Sequence, residues 1–170
     1  MTKIKGTNPD LVYFGGTTQS KGGQIAKDMT AVGLSCPLMV PDGCMEDAFI
    51  ESAGAENLNG RCYVTFGGLP PEQLQGKGKE FVDKYTKKFG KMPEAYAIYG
   101  YEAAKVALAA VEKAGKKDRD AIRQACLSIQ GFPGSLGSWS FDSNGDTTLR
   151  TMSGNLVKNG KFEFVKILGQ

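Results

Sequence analysis

The sequence predicts an α/β protein in which short parallel strands alternate with helices. Leu11-Val12-Tyr13-Phe14 and Pro37-Leu38-Met39-Val40 are apolar runs, each closed by a turn cluster, Gly15-Gly16 and Pro41-Asp42-Gly43. Runs without polar alternation mark buried parallel strands. Between them Ile25, Ala26, Met29 and Val32 recur at helical spacing, and Gly33 supplies the stop. Strand, helix and strand in that order form a βαβ unit, whose crossover sets both strands parallel with their carboxyl ends at one edge of the sheet. Open α/β sheets hold ligands at that edge. Thr17, Thr18, Gln19 and Asp42 fall there and are the candidate site residues of the front.

The remaining elements follow in the same style. Glu46 to Ser52 reads as a short helix with Ala48, Phe49 and Ser52 on one face, and Arg61 to Phe66 as a third strand. Gly67-Gly68-Leu69-Pro70-Pro71 is the strongest candidate linker, since paired glycines and prolines resist both helix and ladder. Three helices come next. Phe81, Tyr85 and Phe89 share a face of the first; Ala103, Val106, Ala107, Ala110, Val111 and Ala114 make a broad stripe on the second, stopped by Gly115; Ile122, Ala125, Cys126 and Ile129 line the third, with Asp118 as N-cap and Gly131 as stop. The tail returns to strand: Ser138 to Phe141 alternates, Asp142 to Asp146 is a turn, and Asn155-Leu156-Val157 and Phe162 to Val165 flank Asn159-Gly160, a strong hairpin signal. A βαβ front, a helical middle and a β tail fit a Rossmann-like or flavodoxin-like parallel sheet with flanking helices.

Composition narrows the function. The 170 residues, 41% hydrophobic, suffice for one domain or two small lobes. The net charge of +3 arises from 21 basic and 18 acidic residues spread along the chain, which argues against nucleic acid as a partner. No apolar run approaches the roughly 20 residues of a membrane span, and the opening MTKIKGTNPD lacks the apolar core of a signal peptide. There is no histidine, which removes Ser-His-Asp and Cys-His nucleophile pairs and most zinc sites. The 4 cysteines, Cys36, Cys44, Cys62 and Cys126, have no CxxC spacing. Cys36 and Cys62 each start a predicted strand and could bridge if those strands are neighbours; four buried free thiols is the alternative.

Several stretches have two readings. Gly15-Gly16 through Gly22-Gly23 superficially resembles a phosphate loop, yet neither GxxxxGK[ST] nor GxGxxG fits, and no cofactor is expected. Asp142, Asn144 and Asp146 occupy the first ligand positions of a calcium loop, but Thr147 and Ser153 stand where its glycine and glutamate belong, so a turn is the reading and no metal is expected. Tyr96, ahead of the alanine-rich helix, either lines a pocket or packs in the core. Asp42 either faces a ligand at the sheet edge or caps the helix near Glu46.

VYFGG, then a helix ending in AVGL, a strand into PDG, the stretch GYEAAKVALAAVEKAG and finally GSWSFDSNGDTTL resemble, in order and spacing, the second half of the branched-chain amino-acid type of periplasmic substrate-binding protein. In that family a two-lobed clamshell closes over a small ligand and presents it to a membrane ABC transporter without doing chemistry. The resemblance implies a ligand-contacting residue after the paired glycines, here Thr17 with Thr18 beside it, where amino-acid binders often carry tyrosine. It implies an acid for the ligand's ammonium group in the P-acid-G turn, here Asp42 where glutamate is common, and an aromatic pocket residue, here Tyr96. It assigns residues 1–68 and 153–170 to the second lobe and 69–152 to the first, the other arrangement being one compact domain over 1–170. It implies a missing N-terminal half, a periplasmic or extracellular parent, an amino acid or small carboxylate as ligand, and self-association through sheet edges left open. The competing reading is a self-contained flavodoxin-like domain acting as an enzyme or signalling module.

Overall fold

The computed structural model describes residues 1–169. The chain divides into two compact units, one comprising Met1–Leu69 and the chain from Thr151 onward, the other Pro70–Arg150. The division falls inside the Gly/Pro stretch singled out from composition.

In the first unit, α1 (Thr2–Lys5) precedes β1 (Val12–Tyr13), α2 (Gly22–Ala31), β2 (Leu38–Val40), α3 (Asp47–Ala53), α4 (Ala55–Leu58) and β3 (Cys62–Phe66). The tail returns as β6 (Met152–Lys158) and β7 (Lys161–Leu168), giving a sheet of order β1-β2-β3-β6-β7. β1, β2 and β3 are parallel; β6 and β7 are antiparallel to their neighbours. The hairpin turns through Asn159 at φ 51° and Gly160 at φ 72°, two consecutive left-handed residues of the kind the Asn-Gly pair adopts readily.

Both crossovers run in the same direction across the sheet, and right-handed crossovers that do not reverse deliver their helices to the same face. Ala26 and Met29 of α2, Phe49, Ile50 and Ala53 of α3 and Leu58 of α4 therefore pack on one side, against Val12, Leu38, Val40, Cys62, Val64, Phe66 and Val157, all buried. α2 and α3 approach closely at Gly23, where an added Cβ would lie 2.8 Å from the Ala53 nitrogen. The opposite face carries Tyr13, Met39, Tyr63 and Leu156, in register across four strands.

The second unit contains α5 (Lys77–Phe89), α6 (Ala97–Ala114), α7 (Arg119–Leu127) and the small ladder of β4 (Phe132–Pro133) with β5 (Ser138–Trp139). Its core joins Val106 and Ala110 to Ile129 and Trp139, with Ile122, Cys126, Phe132, Phe141 and Leu149 around them.

Some expected faces are corrected by the structure. α3 buries Phe49, Ile50 and Ala53 while Ala48 and Ser52 are exposed. On α5, by contrast, Phe81, Tyr85 and Phe89 share one face as expected, as a ladder of rings, beside the buried Gly78 and Val82. α6 buries Ile98, Glu102, Val106 and Ala110, so Ala103, Ala107 and Val111 lie outside. α7 is capped by Asp118, which accepts from the Ala121 nitrogen at 2.8 Å, but it ends at Leu127, and Gly131, at φ 59°, serves the following turn instead. All four thiols are free. The strands of Cys36 and Cys62 are neighbours, yet Cys62 is level with Leu38. A two-residue offset on adjacent strands leaves Cα atoms roughly 8 Å apart, beyond disulfide reach.

Candidate functional site

The ladder of β1 and β2 closes with the Phe14 amide donating to the Met39 carbonyl at 2.9 Å. Beyond it the chain turns through Gly15 to Lys21, whose left-handed φ of 69° swings the backbone into α2. Thr17 and Ser20 hold this turn between them. The Thr17 amide donates to Ser20 Oγ at 2.7 Å, the Ser20 amide to Thr17 Oγ1 at 3.2 Å, and Ser20 Oγ to the Thr17 carbonyl at 3.1 Å.

The turn after β2 meets this loop directly. The Thr18 amide donates to the Gly43 carbonyl at 3.1 Å, and a Cβ on Gly43 would come within 2.8 Å of Thr17 Cγ2. Asp42 opens a 3₁₀ turn over Asp42–Cys44 and its carbonyl accepts from the Met45 amide at 2.8 Å. The N-cap position of α3 is Glu46, without a side-chain cap, so Asp42 is not the cap of that helix. Gln19 Nε2 donates to Glu46 Oε1 at 3.1 Å, a further tie between the two loops. Thr17, Thr18 and Asp42 thus share the carboxyl edge of the sheet; Thr17 and Asp42 are exposed and Thr18 is half-buried.

Cys44 lies beneath, its Sγ 3.8 Å from the Gly16 carbonyl. Burial pushes its thiol up to about 11, with the Glu46 and Asp42 charges adding to the rise. Cys62 is pushed up to about 12, by burial first and by Cys44 second, against an opposing effect of Arg61. Neither is a thiolate near neutral pH, so neither is an activated nucleophile. What the edge offers is exposed hydroxyls and backbone groups beside two carboxylates, an environment suited to a cationic or ammonium-bearing ligand. A polar groove lined by Lys5, Asn8, Asp10, Ser35 and Cys36 lies at the opposite, amino edge and is separate from these residues.

Tyr96 belongs to the other unit, at the N-cap position of α6, with 45% of its surface exposed. Its ring centroid is 6.3 Å from that of Tyr99, whose phenol burial raises to about 12. Sequence reasoning missed Ser20 and Cys44. The Thr17-x-x-Ser20 spacing, typical of hydroxyl-closed turns, is a signal that could have found the first.

The family model for periplasmic binding proteins matches residues 1–161. The chain belongs to that family. A curated relative, the Leu/Ile/Val-binding protein homolog 1 of Brucella suis, is 30% identical over 152 residues, 88% of this chain and 38% of the relative. A leucine-binding protein from Thermotoga maritima superposes with a TM-score of 0.87 at 30% identity, over 98% of this chain and 46% of that one. The branched-chain amino acid transporter substrate-binding protein of Streptococcus pneumoniae, solved with isoleucine, gives 0.85 at 26% identity, over 98% and 47%. This periplasmic binding protein chain therefore spans between about two fifths and half of the length of the relatives it matches.

Proposed function

We propose that the chain is half of a solute-binding protein that captures an amino acid or a similar small carboxylate for ABC-transporter uptake, in the periplasm or outside the cell, and performs no chemistry. The observation that carries this reading is the junction of the Thr17-Thr18 loop with the Asp42 turn at the carboxyl edge of the sheet. Asp42 takes the ligand's ammonium group, helped by the nearby negative charge of Glu46, and Thr17 and Thr18 contact the ligand from the neighbouring loop. Tyr96 is the aromatic ligand-contacting residue of the second unit. The first unit is a portion of the second lobe, and the second unit a portion of the first. The names of the relatives, which include leucine and isoleucine binders, support an aliphatic amino acid. Aspartate in place of glutamate and threonine in place of tyrosine enlarge the pocket, so the preferred side chain need not be branched.

These residues match less than half of the length of their relatives; they bind weakly on their own and self-associate. Leu11 and Tyr13, exposed by 44% and 60% at an edge strand, support that association. The test is a calorimetric screen of the chain against leucine, isoleucine, valine and small aromatic acids beside flavin mononucleotide and ATP. Heat from the amino acids alone, in the millimolar range, is the expected result. Saturable binding of the flavin or nucleotide with none of the amino acids would replace this function with that of a flavodoxin-like enzyme or signalling domain.

A further inference from the structure

The sequence contains three Asn-Gly pairs, Asn59-Gly60, Asn144-Gly145 and Asn159-Gly160. In such a pair the glycine nitrogen can attack the side-chain carbonyl carbon of the asparagine, because no Cβ on the glycine blocks the approach. The glycine N–H gives up its proton, the new N–C bond closes a succinimide ring, and the side-chain nitrogen leaves with that proton as ammonia. Water then opens the ring at either carbonyl, giving aspartate or isoaspartate; water alone is consumed, and nothing is oxidised or reduced. We infer that Asn159 is the site at which this chain is modified by that reaction, ahead of the other two asparagines.

All three asparagines are exposed, so exposure does not separate them; their hydrogen bonds do. The Gly60 amide donates to the Val157 carbonyl at 2.8 Å, and Asn59 Oδ1 accepts from the Asn159 amide at 2.8 Å. At that pair the attacking nitrogen and the attacked carbonyl are both held. The Gly145 amide donates to the Asp142 carbonyl at 3.1 Å, and the Asn144 amide to Asp142 Oδ1 at 2.9 Å, so this turn must open before its nitrogen is released. At the third pair the ladder of β6 and β7 closes on Lys158 and Lys161 and passes the glycine by. Among the described residues the Gly160 amide has no acceptor, and its nitrogen is available without breaking a bond. The product acts at the same turn. Isoaspartate carries the chain through its side-chain carbon and adds a methylene to a turn of two residues, whose φ angles are 51° and 72°. The Asn159 amide is then drawn off Asn59 Oδ1, and the tie between the hairpin and the turn after α4 is lost.

Timed incubation of the intact chain at mildly alkaline pH, followed by proteolysis and mass spectrometry of the peptides bearing Asn59, Asn144 and Asn159, tests this, with a parallel series in concentrated guanidinium chloride. The expected result in the folded chain is conversion of Asn159 at least fivefold faster than of Asn59 or Asn144, with aspartate and isoaspartate both formed. In guanidinium the three rates should converge, because the hydrogen bonds that separate them are gone. Conversion led by Asn59 or Asn144, or an Asn159 that reacts in guanidinium but not in the folded chain, would overturn the assignment. A lead of Asn159 that persists unchanged in guanidinium would overturn it too, since the ranking would then come from neighbouring residues and not from the fold.

Discussion

The loop from Gly15 to Lys21 and the loop from Gly134 to Ser138 are held in opposite ways. The first is exposed and tied by neutral hydroxyls and backbone groups, each bond backed by another between Thr17, Thr18, Ser20 and Gly43. The second is closed by one backbone bond, the Gly134 amide to the Gly137 carbonyl at 3.0 Å, and otherwise gathers its donors on one buried carboxylate. Glu102 of α6, 4% exposed, accepts from the Ser135 amide at 2.8 Å, from the Trp139 indole at 2.9 Å and from the Leu136 amide at 3.4 Å. A Cβ on Gly134 would run into that carboxylate. A redundant web tolerates the loss of a member and leaves its groups available to a ligand, whereas a single buried acceptor leaves several donors stranded when it goes.

The contrast predicts a graded series. Glu102→Ala should cost the most, about 3 kcal/mol or more, because two buried donors lose their acceptor and a cavity opens beside Trp139. Denaturant unfolding followed by the emission of Trp139, the 1 tryptophan of the chain, reads this directly. A cost near zero would erase the distinction between the loops. Glu102→Gln, which keeps an acceptor oxygen, should recover part of the loss.

Next comes the alkaline limit of the first unit. The Cys44 and Cys62 thiols are raised to about 11 and about 12 from 9.0, so the folded state holds these protons when the unfolded chain has released them. Stability is therefore unaffected by these thiols below about pH 9 and falls as pH rises from there through 11 to 12. Stability measured at pH 8, 9.5 and 11 should decline in that order. Iodoacetamide at pH 8 should label the half-buried Cys36 and Cys126 before Cys44 and Cys62, as mass spectrometry of the peptides would show; prompt labelling of Cys44 would mean that the loop above it opens readily.

The smallest effect belongs to the redundant loop itself. Ser20→Ala removes contacts of an exposed side chain and should cost about 1 kcal/mol or less, detectable as a shift of a few degrees in Tm.

Much of this organisation is legible in the sequence. Apolar runs closed by turn residues place β1, β2 and β3, and the handedness of crossovers sets Thr17, Thr18 and Asp42 at one edge before any coordinates are seen. The inward face of α6 is not legible, because Glu102 reads as solvent-facing until Trp139 and the Ser135 amide supply its partners from far along the chain. β4 contains Pro133, which argues against a strand except at an edge. Ser20 is obscured for a related reason, since its role depends on backbone groups that composition does not reveal.

The central claim is that the carboxyl edge takes a ligand's ammonium group on Asp42. Amide chemical shifts of the ¹⁵N-labelled chain, recorded as isoleucine is raised to tens of millimolar, test it most directly, with N-acetylisoleucine as the ligand that lacks the charge. The predicted result is movement confined to Thr17, Thr18, Ser20, Asp42 and Gly43, reduced at least fivefold for N-acetylisoleucine and for Asp42→Asn. Equal shifts with both ligands, or shifts centred on the groove around Asp10 and Ser35, would contradict it.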